Sequence, residues 1–186
     1  MNRLALIAAA ASFLAMGAFA QTTEVGDRRE NQQDRIAQGV SSGQLTAGET
    51  ANLEKKVSSI NQEIHTDRSL NGGHLTNQER QIVNQQQNQM SNQIYRDKHN
   101  AATQHYGNNE VDARRENQQD RIAQGIRSGS LNAAQTARLE KGASAVNQEV
   151  HTDRSLNGGH LTGAEKAQVN RQQNGMSRRI YNNKHK

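Results

Sequence analysis

Apolar residues recur along the chain at the spacing of amphipathic helices. Leu53, Val57, Ile60 and Ile64 lie three or four positions apart, which places them on one face of a helix. A later segment carries Val83, Met90, Ile94 and Tyr95, a helical stripe that polar Gln87 interrupts. The chain contains no proline, and strand-like alternation of β-branched residues is rare. The pattern therefore predicts an all-α protein.

Glycines and capping residues divide the first half of the chain into three predicted helices. The first is predicted over residues 27–38 and should end at Gly39, which can adopt a left-handed C-terminal conformation. Thr46 and Thr76 each precede a glutamate by three positions, the spacing of a capping box, and should begin the second and third helices. Both corners read Gly-x-Leu-Thr-x-x-Glu. Each half of the chain should thus contain two helix-turn-helix corners.

The whole pattern occurs twice. Residues 27–100 and 113–186 align without a gap and are identical at 49 of 74 positions. We therefore expect two tandem three-helix modules, preceded by a short segment over residues 21–26 and joined by a polar linker over 101–112. One unit has only about ten large apolar side chains, few for its length. The two copies should pack together, or the protein should self-associate.

The first twenty residues have the pattern of a secretory signal peptide. Arg3 precedes an apolar run that ends in Ala18-Phe19-Ala20, a typical cleavage site. The run is shorter than the roughly 20 apolar residues that a membrane-spanning helix needs. The absence of cysteine excludes a lipid anchor on a mature N-terminal cysteine, and disulfides as well. We expect cleavage after Ala20 and a periplasmic or secreted protein.

The second corner of each repeat carries a further pattern. Asp67, Ser69, Asn71 and Gly72 have the spacing of the first ligands and the glycine of a calcium loop, and Glu79 follows. The corner thus resembles a degenerate EF-hand, and the two corners of a repeat resemble an EF-hand pair. The chain also looks like a group of uncharacterised exported bacterial proteins built from such helical hairpins, to which no activity is assigned. One extra residue before Glu79 departs from the EF-hand spacing.

Histidines near the same corner offer a second ligand chemistry, because imidazole and carboxylate together suit zinc or copper. One hypothesis is therefore a divalent-cation binder, for calcium or for a transition metal. Its candidate ligands are His65, Asp67, Ser69, Asn71, His74 and Glu79 in the first copy, and His151, Asp153, Ser155, Asn157, His160 and Glu165 in the second. The competing interpretation is that Glu79 and Glu165 serve only as capping-box residues.

Charge favours a different, leading hypothesis. Residues 113–186 contain 13 basic and six acidic side chains, whereas residues 27–100 contain nine of each. No nucleophile motif or phosphate-binding glycine loop occurs, so we expect neither an enzyme nor a cofactor. We expect an exported helical repeat protein that contacts another protein or anionic envelope components. An exported protein rarely meets nucleic acid, so none is expected. The candidate contact residues are Arg178, Arg179, Lys184 and Lys186.

Overall fold

The computed structural model describes residues 13–185, and the predicted all-α class is confirmed. Residues 1–12 of the expected signal peptide lie outside the described residues. No helix in the described part of the chain is both long and apolar enough to cross a membrane. Residues 13–185 form six helices: α1 (Phe13–Ser41), α2 (Ala47–Leu70), α3 (Asn77–Lys98), α4 (Glu110–Arg127), α5 (Ala133–Leu156) and α6 (Gly163–Lys184).

Capping boxes begin four of these helices. The side chains of Thr46, Thr76, Asn132 and Thr162 each accept a hydrogen bond from the backbone N–H three residues later. In return, the glutamate or glutamine at that position accepts a hydrogen bond from the capping residue's own N–H. Because every contact spans only three residues, the sequence alone was enough to predict these helix starts.

Loss of one capping hydroxyl should have a measurable effect. We expect Thr76→Ala and Thr162→Ala each to lower the free energy of unfolding by about 1 kcal/mol, since the N3 amide loses its acceptor. Chemical denaturation of each variant measures the change. Thr66→Ala is a suitable control, because the hydroxyl of Thr66 bonds within a helix, to the carbonyl oxygen of Gln62. Unchanged midpoints for both capping variants would contradict the prediction.

The prediction that the first helix ends at Gly39 was wrong. α1 continues to Ser41, and Gly43 takes the positive φ of 70° that the turn requires. Gly39 has another role, because a Cβ there would lie 2.6 Å from the Cγ and Cδ1 atoms of Leu45. The glycine allows the chain after the turn to fold back against α1. Gly125 has the same relation to Leu131 in the second copy, with a distance of 2.5 Å.

The two repeats meet through equivalent helices. Within each repeat the third helix packs on the first two, while across the repeats α1 packs on α4 and α2 on α5. Gly48, near the start of α2, lines one pocket together with His151 and Thr152 in the second half of α5. The residues after Gly26 in α1 likewise lie beside the end of α4. Both helix pairs are therefore antiparallel, and an approximate two-fold rotation relates the repeats.

The largest hydrophobic core belongs to both repeats. Its buried residues include Ile36, Leu53 and Ile94 from the first copy, with Ile122, Leu139 and Ile180 at the equivalent positions of the second. Each repeat also has a small core of its own at the far end, which includes Val25 in the first and Val111 in the second. α4 begins at Glu110, so the non-helical linker is shorter than its expected range. A single repeat would expose much of the shared core.

Candidate functional site

The predicted metal ligands lie at the corner between α2 and α3 and at its equivalent between α5 and α6. The carboxylate of Glu79 accepts a hydrogen bond from the backbone N–H of Thr76 at 2.7 Å. Both of its oxygens also accept from Nδ2 of Asn71, at 2.9 and 3.0 Å. These hydrogen bonds, the one from Thr76 foremost, lower the pKa of Glu79. Glu165 has the same partners, Thr162 and Asn157. Both carboxylates thus serve the local helix start.

The remaining candidate ligands are not brought together. His65, Ser69 and His74 are exposed, and Asp67 is half-buried. Their equivalents His151, Ser155, His160 and Asp153 have the same exposures. Among residues 13–185, no group of three histidine, aspartate or glutamate side chains is arranged to hold a metal ion. The geometry therefore adds no support to the divalent-cation hypothesis.

The predicted basic contact residues differ in their exposure and in their hydrogen bonds. Arg178 and Arg179 are exposed on α6. The ammonium group of Lys184 instead donates to Oε1 of Gln124 at 2.9 Å and so ties the end of α6 to α4. Lys186 lies outside the described residues.

Most of the extra positive charge of the second repeat sits on five exposed arginines. They replace Ser41, Asn52, Gln85, Asn92 and Gln93 of the first repeat, and they are Arg127, Arg138, Arg171, Arg178 and Arg179. None of the five forms an ion pair within the described part of the chain, where the ion pairs involve other residues. The fold does not need these charges, because the first repeat has neutral residues at the same positions.

A pair of buried glutamates lies where α2 crosses α5, and the sequence analysis did not identify it. Glu54 and Glu140 occupy equivalent positions, and both are 0% exposed. Oε2 of Glu54 accepts a hydrogen bond from Gln33 at 3.3 Å, and Oε2 of Glu140 accepts one from Gln119 at 3.0 Å. Oε1 of each glutamate is buried without a partner among the described residues. Two carboxyl groups thus share one water-poor interface.

Burial strongly alters the ionisation of this pair. It raises the pKa of Glu54 to about 7, against the opposing hydrogen bond from Gln33. Burial likewise raises the pKa of Glu140 to about 8, with the negative charge of Glu54 adding to the effect and the bond from Gln119 opposing it. The sequence did contain a signal, since Glu54 follows Thr50 by four positions and precedes Val57 by three, and both neighbours are buried.

The linker fills a groove between the repeats, here called the covered groove and formed by Gly43, Asp112, Arg115 and Asn147. The backbone N–H of Gln104 donates to the carbonyl oxygen of Gly43 at 2.8 Å. Nδ2 of Asn147 donates to the side-chain oxygen of Gln104 at 2.9 Å. Two residues on, the ring of Tyr106 lies 5.0 Å from the guanidinium carbon of Arg115.

A charged network forms the floor of the covered groove. Asp112, only 1% exposed, pairs with Arg115 at 2.9 Å and with Arg154 at 3.0 Å. Burial alone would raise the pKa of Asp112, but the hydrogen bond and charge of Arg154 and the charge of Arg115 lower it below its usual value. The linker covers this network, and Arg115 is only 8% exposed.

The two-fold relation produces an equivalent groove that residues 13–185 leave unfilled. This open groove is formed by Gly26, Arg29, Asn61 and Gly129 and has a volume of about 600 Å³. A Cβ added to Gly43 would lie 2.5 Å from the carbonyl oxygen of Gln104, whereas one added to Gly129 would meet nothing within 4 Å. Arg29, the counterpart of Arg115, is exposed. The same scaffold therefore carries one filled and one empty groove.

Comparisons with protein-family models, with curated proteins and with solved structures found no match to this chain. Its function must therefore be inferred from its own residues.

Proposed function

We propose that the protein is an exported, non-catalytic helical repeat protein that binds an anionic surface of the cell envelope through its second repeat. The observation that carries this proposal is the set of five exposed arginines without ion-pair partners among the described residues. A basic surface near anionic lipid head groups gains about 1 kcal/mol for each arginine or lysine. The signal-peptide pattern over residues 1–20 supports the compartment in which such a surface is met.

Vesicle binding tests the proposal with the chain from Gln21 onward, so that the apolar run before Ala20 cannot contribute. The test variant gives the five arginine positions the residues of the first repeat: Arg127→Ser, Arg138→Asn, Arg171→Gln, Arg178→Asn and Arg179→Gln. We expect it to bind mixed phosphatidylcholine and phosphatidylglycerol vesicles at least about tenfold more weakly than the parent protein. Binding of the parent should also fade with salt, as the Debye length falls from about 10 Å at 0.1 M to about 3 Å at 1 M.

The matched control removes basic residues from the first repeat instead. Lys55, Lys56 and Arg96 are exposed there, and replacing all three by glutamine should change vesicle binding much less. Isolated repeats are unsuitable for this test, because each would expose its side of the shared core. Equal losses in the two variants, or binding by the parent to phosphatidylcholine alone, would contradict the proposal.

A further inference from the structure

We propose that the open groove binds an extended segment of a partner protein that carries glutamine, then tyrosine two positions later, then an acidic residue. The proposal goes beyond the envelope contact above, because it concerns a groove that shares only Arg127 with the five arginines, and a peptide ligand. It rests on the comparison of two equivalent grooves in one molecule, one of which shows how a segment is held.

The covered groove shows how the glutamine of such a segment is held, through one backbone and one side-chain hydrogen bond. There, the segment containing Gln104 bonds to the carbonyl oxygen of Gly43 and to the amide of Asn147. Gly129 and Asn61 occupy the equivalent positions in the open groove. Gly129 adopts the same positive φ as Gly43, 69° against 70°, so the two turns have the same backbone conformation. A second segment can therefore approach Gly129 as Gln104 approaches Gly43.

The aromatic part follows from the arginines. In the covered groove, Tyr106 lies over Arg115, which shields both groups from water. In the open groove, Arg29 is exposed and its face is available to a ring from another molecule. Cation–π contact with an exposed arginine is modest in water and stronger once the pair is desolvated. A tyrosine two positions after the glutamine would reach it, as Tyr106 does.

The acidic residue follows from a charge difference between the grooves. Asp112 pairs with Arg115 and Arg154, but Gly26 stands at the equivalent position and brings no carboxylate to Arg29 and Arg68. Nε of Arg68 is buried without a hydrogen-bond partner among the described residues. A carboxylate from the ligand would therefore take the place that Asp112 has in the covered groove and pair with Arg29 and Arg68.

The linker indicates where that carboxylate should come from. A Cβ added to Gly107 would lie 2.6 Å from Oδ2 of Asp112, so a side chain at this position points at the carboxylate site. In the open groove, a Cβ on Gly26 meets no described residue within 4 Å. A ligand with aspartate immediately after its tyrosine can thus place its carboxylate there.

The rim of the open groove selects against a general polyanion. Asp27, Glu30 and Asp34 line it and are exposed, with Arg127 on the opposite side. A lipid surface or a polyphosphate would meet these carboxylates, whereas a single acidic side chain can pass them and reach the floor. The groove therefore favours a peptide with one placed carboxylate.

The test compares two peptides, each acetylated and amidated. One has the sequence of residues 101–109, and the other is identical except for Gly107→Asp. Titration of the protein, followed by NMR chemical shifts, should show the aspartate peptide binding at least about tenfold more tightly, the effect of one charge-assisted hydrogen bond. Shifted resonances should include Gly26 and Gly129. Absence of binding by both peptides, or equal binding, would overturn the proposal.

Protein variants locate the site. Gly26→Asp rebuilds the covered groove's carboxylate and should abolish the preference for the aspartate peptide, while Arg29→Gln should weaken both peptides. The control Arg96→Gln changes an exposed arginine of α3 and should leave both affinities unchanged. A preference that survives Gly26→Asp would place binding elsewhere and overturn the proposal. Arg178→Asn with Arg179→Gln should weaken vesicle binding without changing peptide binding, so the two proposals can fail separately.

Discussion

At pH 8, a variant carrying both Glu54→Gln and Glu140→Gln is expected to be several kcal/mol more stable than the parent protein. Glutamine keeps the shape of the glutamate side chain but carries no charge. Burial disfavours ionisation of both glutamates, whose pKa values in the folded protein are about 7 and 8. In the unfolded chain they ionise near the ordinary value of 4.5. Each tenfold difference in proton affinity corresponds to about 1.4 kcal/mol.

The difference in pKa between the folded and unfolded states also sets how stability changes with pH. Below pH 4.5 both states hold these protons, and the pair carries no ionisation penalty. As the pH rises toward 8, the unfolded chain releases the protons first, so the folded state binds more of them and stability falls. Asp112 acts in the opposite direction, because its pKa is lowered in the folded protein. Its ionised form stabilises the fold above the ordinary value of 3.8, and this stabilisation is lost as the pH falls below that value.

Urea unfolding at several pH values between 4.5 and 8 measures this effect. The parent should lose stability across the range, and the double glutamine variant should lose much less. Glu30→Gln with Glu116→Gln is the matched control, because these glutamates are also equivalent in the two repeats but are exposed. A parent whose stability is independent of pH, or a control that behaves like the test variant, would contradict the prediction.

The second large effect is expected from Gly39→Ala combined with Gly125→Ala. Alanine within a helix is usually favoured over glycine by about 1 kcal/mol. Here the new methyl groups would lie 2.6 and 2.5 Å from Leu45 and Leu131, which are almost fully buried. Overpacking of a core costs about 1–3 kcal/mol at each site, so the clash outweighs the gain in helix propensity. We expect the double variant to be destabilised by a few kcal/mol.

Gly175→Ala is the control for this experiment. Gly175 lies within α6, and an added Cβ would meet nothing within 4 Å. This variant should therefore show the ordinary helix preference and become slightly more stable. Thermal or urea unfolding shows whether the double variant loses stability while Gly175→Ala gains it. Stabilisation in both would mean that Leu45 and Leu131 can move aside at little cost.

Several features of the protein could be predicted from the sequence because they depend on neighbouring residues. The capping boxes at Thr46 and Thr76 span three positions, and the repeat is a direct comparison of the chain with itself. The all-α class follows from the helical spacing of apolar residues. The predicted end of the first helix was wrong, since α1 continues to Ser41 and Gly39 instead makes room for Leu45 after the turn.

The tertiary structure decided the remaining features, because they depend on which helix surfaces pack together. Glu54 is a polar residue on α2, which packs against helices of its own repeat and against α5 of the other, and this packing leaves it fully buried. The two grooves have similar local sequences, but the linker lies in only one of them. Only one linker joins the two repeats, and it fills one groove of the symmetric pair, while the other stays open in the part of the chain that the structure describes. The sequence shows that Gly26 replaces Asp112, but which groove the linker fills depends on connectivity and on the antiparallel docking of the copies.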